Sequence, residues 1–132
     1  MCKEGQYGNA AVEAVRLYTS GEMKCLPKAW YGVITQFTDS PSSQEKPCPI
    51  ETFLGLCEAG LVKGVRKGTI RFTKNKDYGI RGVEALKKDS SLAKSSAAKL
   101  WGSIDNNGET HNGQMDVVRA LWRAGLIEKG ED

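Results

Sequence analysis

The chain has 132 residues, a length that suits one domain able to bury its own core. Hydrophobic residues make up 39% and charged residues 27% of the chain, with a net charge of +3, an ordinary balance for a globular protein. Residues 1–6 carry no apolar signal segment, and no apolar run approaches the roughly 18 residues of a membrane span. These bounds argue against a secreted or membrane-spanning protein and predict a cytoplasmic one.

Two parts of the sequence resemble each other. Residues 7–16 are similar to residues 78–87, and the same offset relates Trp30 to Trp101. Residues 56–62 are similar to residues 121–127 at a slightly shorter offset. A repeat unit cannot usually bury its apolar face alone, so two copies are expected to pack together. We predict a single domain over residues 1–132, with one repeat at about 7–62, a connector at 63–77 and a second repeat at about 78–127.

Each copy is predicted to form three amphipathic helices. In the first helix of each copy, apolar or small residues recur at the spacing that places them on one face. These residues are Tyr7, Ala11, Ala14, Val15 and Tyr18 in the first copy and Tyr78, Gly82, Ala85 and Leu86 in the second. Gly8 and Gly79 would let a neighbouring helix approach closely. Trp30 and Trp101 lie at equivalent helical positions and are predicted to be buried core residues rather than ligand contacts.

The positions of proline, asparagine and glycine predict where the helices begin and end. Pro27 suits the first turn of the second helix, because its missing N–H has no helical partner there. Asn112 is predicted to cap the last helix through its side chain. Gly21 is placed to end the first helix, and Gly60 and Gly125 are placed for left-handed C-terminal caps.

Between the copies, residues 61–72 alternate in polarity around a turn at Lys67 and Gly68, which predicts a short hairpin. The predicted fold is therefore all-α in the main, with two pseudo-symmetric three-helix repeats and a short basic β-hairpin or loop between them.

The connector region is rich in basic residues, which raises a nucleic-acid hypothesis. Its candidate contacts are Lys63, Arg66, Lys67, Arg71, Lys74 and Lys76. The preceding helix, residues 50–58, offers no Arg, Lys, Asn or Gln to read base edges and carries two glutamates. We therefore favour a solvated connector and keep nucleic-acid binding as the alternative.

Cysteine and histidine provide the second alternative, an enzyme. The chain has four cysteines without a C-x-x-C pair and one histidine, so no metal site is predicted. Cys48 begins a predicted helix, whose dipole would favour its thiolate, and His111 could act as a base oriented by Glu109 or Asp116. A lone histidine before a helix is more often a surface or capping residue, so we predict no catalytic residues and no cofactor.

The loops at residues 38–47 and 105–111 differ most between the copies and both precede the third helix of their copy. They would bring polar groups to the positive helix N-termini, an arrangement that suits an anion or a carboxylate. The predicted ligand-binding residues are Ser42, Ser43, Gln44, His111, Asn112 and Gln114.

Residues 48–64 and 114–122 resemble those of a small family of uncharacterised bacterial proteins, and the similarity extends over about residues 7–127. The resemblance implies a bacterial origin on a mobile element, and it brings no activity, cofactor or catalytic residue. The function is therefore unknown from sequence. Our preferred hypothesis is a small non-enzymatic interaction or ligand-binding module, with a protein or a small anion as its partner.

Overall fold

The computed structural model of the protein describes residues 5–68 and 73–128, and within these residues the fold is helical, as predicted. The α-helices are α1 (Gln6–Thr19), α2 (Leu26–Ile34), α3 (Pro41–Gln44), α4 (Pro47–Glu58), α5 (Lys74–Lys88), α6 (Ala97–Gly102) and α7 (Gln114–Arg123), with a 3-10 helix at Ser90–Lys94. All helices except α3 and the 3-10 helix correspond to the six predicted ones. None of the described helices is long and apolar enough to cross a membrane.

Most of the predicted helix ends are confirmed, and one is wrong. Gly21, Gly60 and Gly125 have φ values of +86°, +79° and +76°, the left-handed conformation that ends a helix. Asn112 does not cap α7. The capping position is Gly113 at φ +91°, and its left-handed turn brings the side chain of His111 to the helix instead.

The core lies where α4 packs against α5 and α7, and where α1 packs against α2 and α7. Trp30 is 1% exposed and stacks at 5.4 Å on Phe53, while Trp101 is 7% exposed and meets the ring of Tyr78 at 5.1 Å. The prediction that both tryptophans are buried is confirmed.

Glycines allow the closest helix contacts, as predicted. A Cβ atom at Gly8 would lie 2.7 Å from the Cβ of Ala120, and one at Gly79 would lie 2.9 Å from the Cγ2 of Thr52. A third close contact joins Gly55 of α4 to Lys76 of α5. The helices therefore approach each other most closely at glycine residues, which have no Cβ atom to clash with the neighbouring helix.

The connector pairs differently from the predicted hairpin. Val62 forms an isolated antiparallel bridge with Ile127, in which the N–H of Lys63 donates to Leu126 O and the N–H of Glu128 donates to Leu61 O, both at 2.7 Å. Residues 63–68 form turns and irregular chain, and residues 69–72 of the predicted hairpin lie outside the described residues. Val62 and Ile127 are equivalent in the predicted repeat, so this bridge is consistent with two copies, and the repeat itself stays a prediction.

Candidate functional site

The loops that precede α4 and α7 both contact Tyr7 of α1. We call residues 38–46 and 105–113 together the loop face. The hydroxyl of Tyr7 donates to the carbonyl oxygen of Ser43 at 3.2 Å. Gly113 lies against the same tyrosine, since a Cβ there would be 2.8 Å from Tyr7 Cδ2 and 3.0 Å from Pro49 Cγ. Tyr7 therefore joins the two loops.

The polar groups of the first loop mostly bond within that loop. Gln44 donates from Nε2 to the carbonyl oxygen of Thr38 at 2.7 Å, and the N–H of Ser43 donates to Ser40 Oγ at 3.3 Å. The hydroxyl of Ser42, on an exposed residue, lies 3.1 Å from that of Ser40. These bonds order the loop and occupy donors that a ligand would otherwise use.

Gln114 belongs to a buried network that ties α7 to α5 and α4. Its Nε2 donates to Asn75 Oδ1 at 3.1 Å, and Asn75 Nδ2 donates to Glu51 Oε1 at 2.8 Å. The backbone N–H of Asn112 donates to Gln114 Oε1 at 2.6 Å. Asn75 was not among the predicted site residues, because its partners are distant in the chain. The network satisfies buried amides, which is the usual condition for burying them.

His111 serves as a helix cap. The backbone N–H of Met115 donates to its Nε2 at 3.0 Å, and its ring lies 5.3 Å from that of Trp101. Burial lowers the pKa of His111, while the charge of Asp116 opposes this and that of Lys46 adds to it. Since the Nε2 lone pair accepts this bond, the neutral ring carries its proton on Nδ1 and has no free lone pair for a base.

The helix N-termini at the loop face leave few donors for an anion. Asp116 places a carboxyl group in the first turn of α7, and burial raises its pKa against the opposing charges of His111, Arg119 and Lys46. At α4, Pro47 and Pro49 occupy two of the first three positions and carry no N–H. The loop face is therefore less suited to binding an anion than the sequence predicts.

Cys48 lies in the first turn of α4, beside a small polar cluster. Lys74 Nζ lies 2.9 Å from Glu109 Oε1, and the hydroxyl of Tyr78 donates to Glu109 Oε2 at 2.9 Å. These two bonds lower the pKa of Glu109, and Glu109 in turn raises the pKa of Lys74, with a smaller contribution from Cys48. The described residues contain no group of three or more side chains able to hold a metal ion.

The structure separates the predicted nucleic-acid contacts. Lys63, Arg66 and Lys67 are exposed, whereas Lys76 is only 5% exposed and its Nζ lies 3.5 Å from Glu58 Oε1. Lys74 is exposed but engaged with Glu109, and Arg71 lies outside the described residues. Three exposed cations thus remain together in the turn after α4.

Open grooves lie elsewhere on the surface, each with an apolar floor. The α1–α7 groove, of about 420 Å³, includes Val12 and Phe37, and the α5–α6 groove, of about 400 Å³, includes Leu92 and Ile104. The α2–α4 groove, of about 290 Å³, has an apolar floor formed by Tyr18, Leu26, Pro27, Leu54 and Cys57. No local sequence pattern predicts these grooves, because residues from separate segments line each one.

Charge distinguishes the α2–α4 groove from the others. Its rim carries Lys24 and Arg66, and neither forms an ion pair with another described residue. The third charged rim residue, Glu58, is paired with the buried Lys76.

The other two grooves are more balanced. The α1–α7 groove is lined by one charge of each sign, Glu13 and Arg123, and Arg81 of the α5–α6 groove pairs with Asp77 at 2.8 Å. Glu84, Lys88, Asp89 and Asp105 add charges of both signs to the α5–α6 groove. A surplus of positive charge therefore marks the α2–α4 groove.

The floor of the α2–α4 groove contains a neutral thiol. Cys57 is buried, and this burial, with a smaller effect of the Glu58 charge, raises the pKa of Cys57 to about 12. Cys57 therefore behaves as a small apolar side chain at neutral pH.

The fold and these surfaces define a small all-helical protein with open grooves, and no nucleophile bonded to a histidine base occurs in residues 5–68 and 73–128. The chain belongs to a family of unknown function, DUF6979, which matches residues 4–128. The predicted relationship to an uncharacterised family is thereby confirmed. Comparison with curated proteins found no match, and comparison with solved structures found none either.

Proposed function

We propose that the protein is a non-enzymatic binding module whose ligand occupies the α2–α4 groove. The observation that carries this proposal is the apolar floor of Leu26, Leu54 and the neutral thiol of Cys57, open beside two exposed cations. Ligand sites are mostly apolar concavities with a few polar groups that fix orientation. The loop face has less support as a binding site, because much of its polar capacity is used in internal hydrogen bonds.

The size of the groove sets the expected affinity. A groove of about 290 Å³ is at the small end of ligand sites and suits a compact apolar molecule. At roughly 0.3–0.5 kcal/mol for each of about ten non-hydrogen atoms, binding would contribute about 3–5 kcal/mol, a dissociation constant of about 0.1–10 mM. A natural ligand with well-placed polar groups would bind more tightly.

The test is a titration of the protein with 3-phenylpropanol, an uncharged apolar probe, followed by the backbone amide resonances. We expect saturable shifts at Leu26, Leu54 and Cys57. Leu54→Trp should fill the groove and abolish them, while Tyr31→Trp, on an exposed face of α2, should leave them unchanged. Shifts confined to the loop face, or no saturable shift, would contradict the proposal.

Nucleic-acid binding is a second candidate, supported by the three exposed cations Lys63, Arg66 and Lys67. Three phosphate contacts would give weak binding. The logarithm of the binding constant would fall with the logarithm of the salt concentration at a slope of roughly −3. Fluorescence anisotropy with a labelled duplex of about 20 base pairs, DNA or RNA, at about 50 mM salt tests this candidate directly. If micromolar protein produces no change in anisotropy, this candidate is wrong.

A further inference from the structure

We infer that the α2–α4 groove selects a small carboxylate that carries an apolar tail. This inference rests on the proposed function and adds the chemical class of the ligand. The apolar floor would receive the tail, and Lys24 and Arg66 would receive the carboxylate.

The two cations reach the groove from different segments. Lys24 lies in the connection between α1 and α2, and Arg66 lies in the turn that follows α4. Both are exposed and line the same groove. A guanidinium pairs with a carboxylate in a two-pronged geometry, and an ammonium adds a second charge-assisted bond. Two cations from separate segments therefore border the apolar floor of one groove.

Glu58 does not cancel this positive charge. Its carboxylate also lines the groove, but it lies 3.5 Å from the ammonium of Lys76, a residue only 5% exposed. The buried Lys76 holds Glu58 from the side of α5, so this pair is close to neutral as seen from the groove. An amine entering the groove would meet two cations that form no ion pair with another described residue, and a carboxylate that already lies 3.5 Å from an ammonium.

The apolar floor favours a carboxylate with a tail over a small inorganic anion. Tyr18, Leu26, Pro27 and Leu54 offer contact area to carbon atoms. A phosphate or sulfate would gain nothing from that area and would lose hydration. The groove volume of about 290 Å³ limits the tail to the size of a phenyl ring or a short alkyl chain.

The experiment compares three probes that share one tail: 3-phenylpropanoate, 3-phenylpropanol and 3-phenylpropylamine. Each is titrated at neutral pH into the full chain, with the amide resonances of groove residues followed. We expect the carboxylate to bind about 5–30-fold more tightly than the alcohol, since two exposed ion pairs each contribute a modest gain, and the amine to bind most weakly. The advantage of the carboxylate should shrink in about 0.5 M salt.

Two charge-matched double variants supply the control. Lys24→Ala with Arg66→Ala should lower carboxylate affinity to that of the alcohol and leave alcohol binding unchanged. Lys28→Ala with Lys63→Ala removes the same charge from exposed residues outside the groove and should retain the carboxylate preference.

The possible failures are distinguishable. Equal affinity for the carboxylate and the alcohol in the unaltered protein would overturn this inference and leave the proposed groove-binding function intact. The inference would also be overturned, with the groove-binding function intact, if Lys28→Ala with Lys63→Ala removed the carboxylate preference as fully as Lys24→Ala with Arg66→Ala. If no probe produces saturable shifts at the groove, the inference and the proposed function both fall.

Discussion

Replacing Gly55 by alanine tests the contact between α4 and α5. A Cβ at this position would lie 2.4 Å from the Cβ of Lys76 and 2.8 Å from its Cα. The Cα belongs to the backbone of α5, so no side-chain rotation relieves the clash. The two helices would have to separate, which would also stretch the 2.8 Å bond between Asn75 and Glu51.

Two opposing contributions determine how far Gly55→Ala changes the free energy of unfolding. Alanine gains roughly 1 kcal/mol over glycine inside a helix. Overpacking of a close contact typically costs about 1–3 kcal/mol, and more where backbone must move. Because both atoms lie well inside the normal contact distance and one is backbone, we expect the clash to cost about 2–4 kcal/mol. After the gain of roughly 1 kcal/mol, the free energy of unfolding should fall by about 1–3 kcal/mol. For a chain of this size that corresponds to a melting temperature lower by roughly 3–15 °C.

Urea unfolding followed by circular dichroism gives the free energy, and Gly32→Ala is the matched control. Gly32 is an exposed helical residue of α2 with no atom within 4 Å of an added Cβ, so its replacement should stabilise the protein by about 0.5–1 kcal/mol. If Gly55→Ala is as stable as Gly32→Ala, the described approach of α4 and α5 is wrong.

Further predictions concern the core, the helix cap and the thiols. Trp30→Ala and Trp101→Ala should each cost about 3–5 kcal/mol in urea unfolding, and losses well under about 1 kcal/mol for both would show that neither is buried. Because the pKa of His111 is lower in the folded than in the unfolded protein, stability should be full above about pH 6.5 and fall as pH drops through that value. His111→Gln should flatten this decline between about pH 7.5 and pH 5.5, and an unchanged slope would contradict the capping role. Iodoacetamide should modify the exposed Cys25 quickly and Cys57 only after unfolding, as mass spectrometry of the alkylated peptides would reveal. Equal rates at the two thiols would refute the burial of Cys57.

The helices were predictable because local signals for them agree. Apolar residues recur at helical spacing in α1 and α5, and Gly60 and Gly125 end α4 and α7 through a backbone conformation that glycine adopts readily. The four-residue helix α3 was not predicted, since its short sequence reads as loop. The cap of α7 was assigned to Asn112 rather than His111, because the left-handed turn at Gly113 redirects the chain and composition alone does not reveal it.

The candidate site depended on tertiary contacts that no local pattern contains. Gln114 was predicted to bind a ligand, yet it bonds to Asn75, 39 positions away in the chain. Lys76 was a candidate nucleic-acid contact, and it is buried because Gly55 leaves room for its aliphatic chain against α4. Lys24 and Arg66 line the same groove only because the chain before α2 and the turn after α4 both border it.

A crystal structure of the protein grown with 3-phenylpropanoate tests the central claim most directly. We predict the phenyl ring against Leu26 and Leu54, with the carboxylate within about 4 Å of the side-chain nitrogen atoms of Lys24 or Arg66. Clear density for the ligand at the loop face or in another groove, with the α2–α4 groove empty, would contradict it.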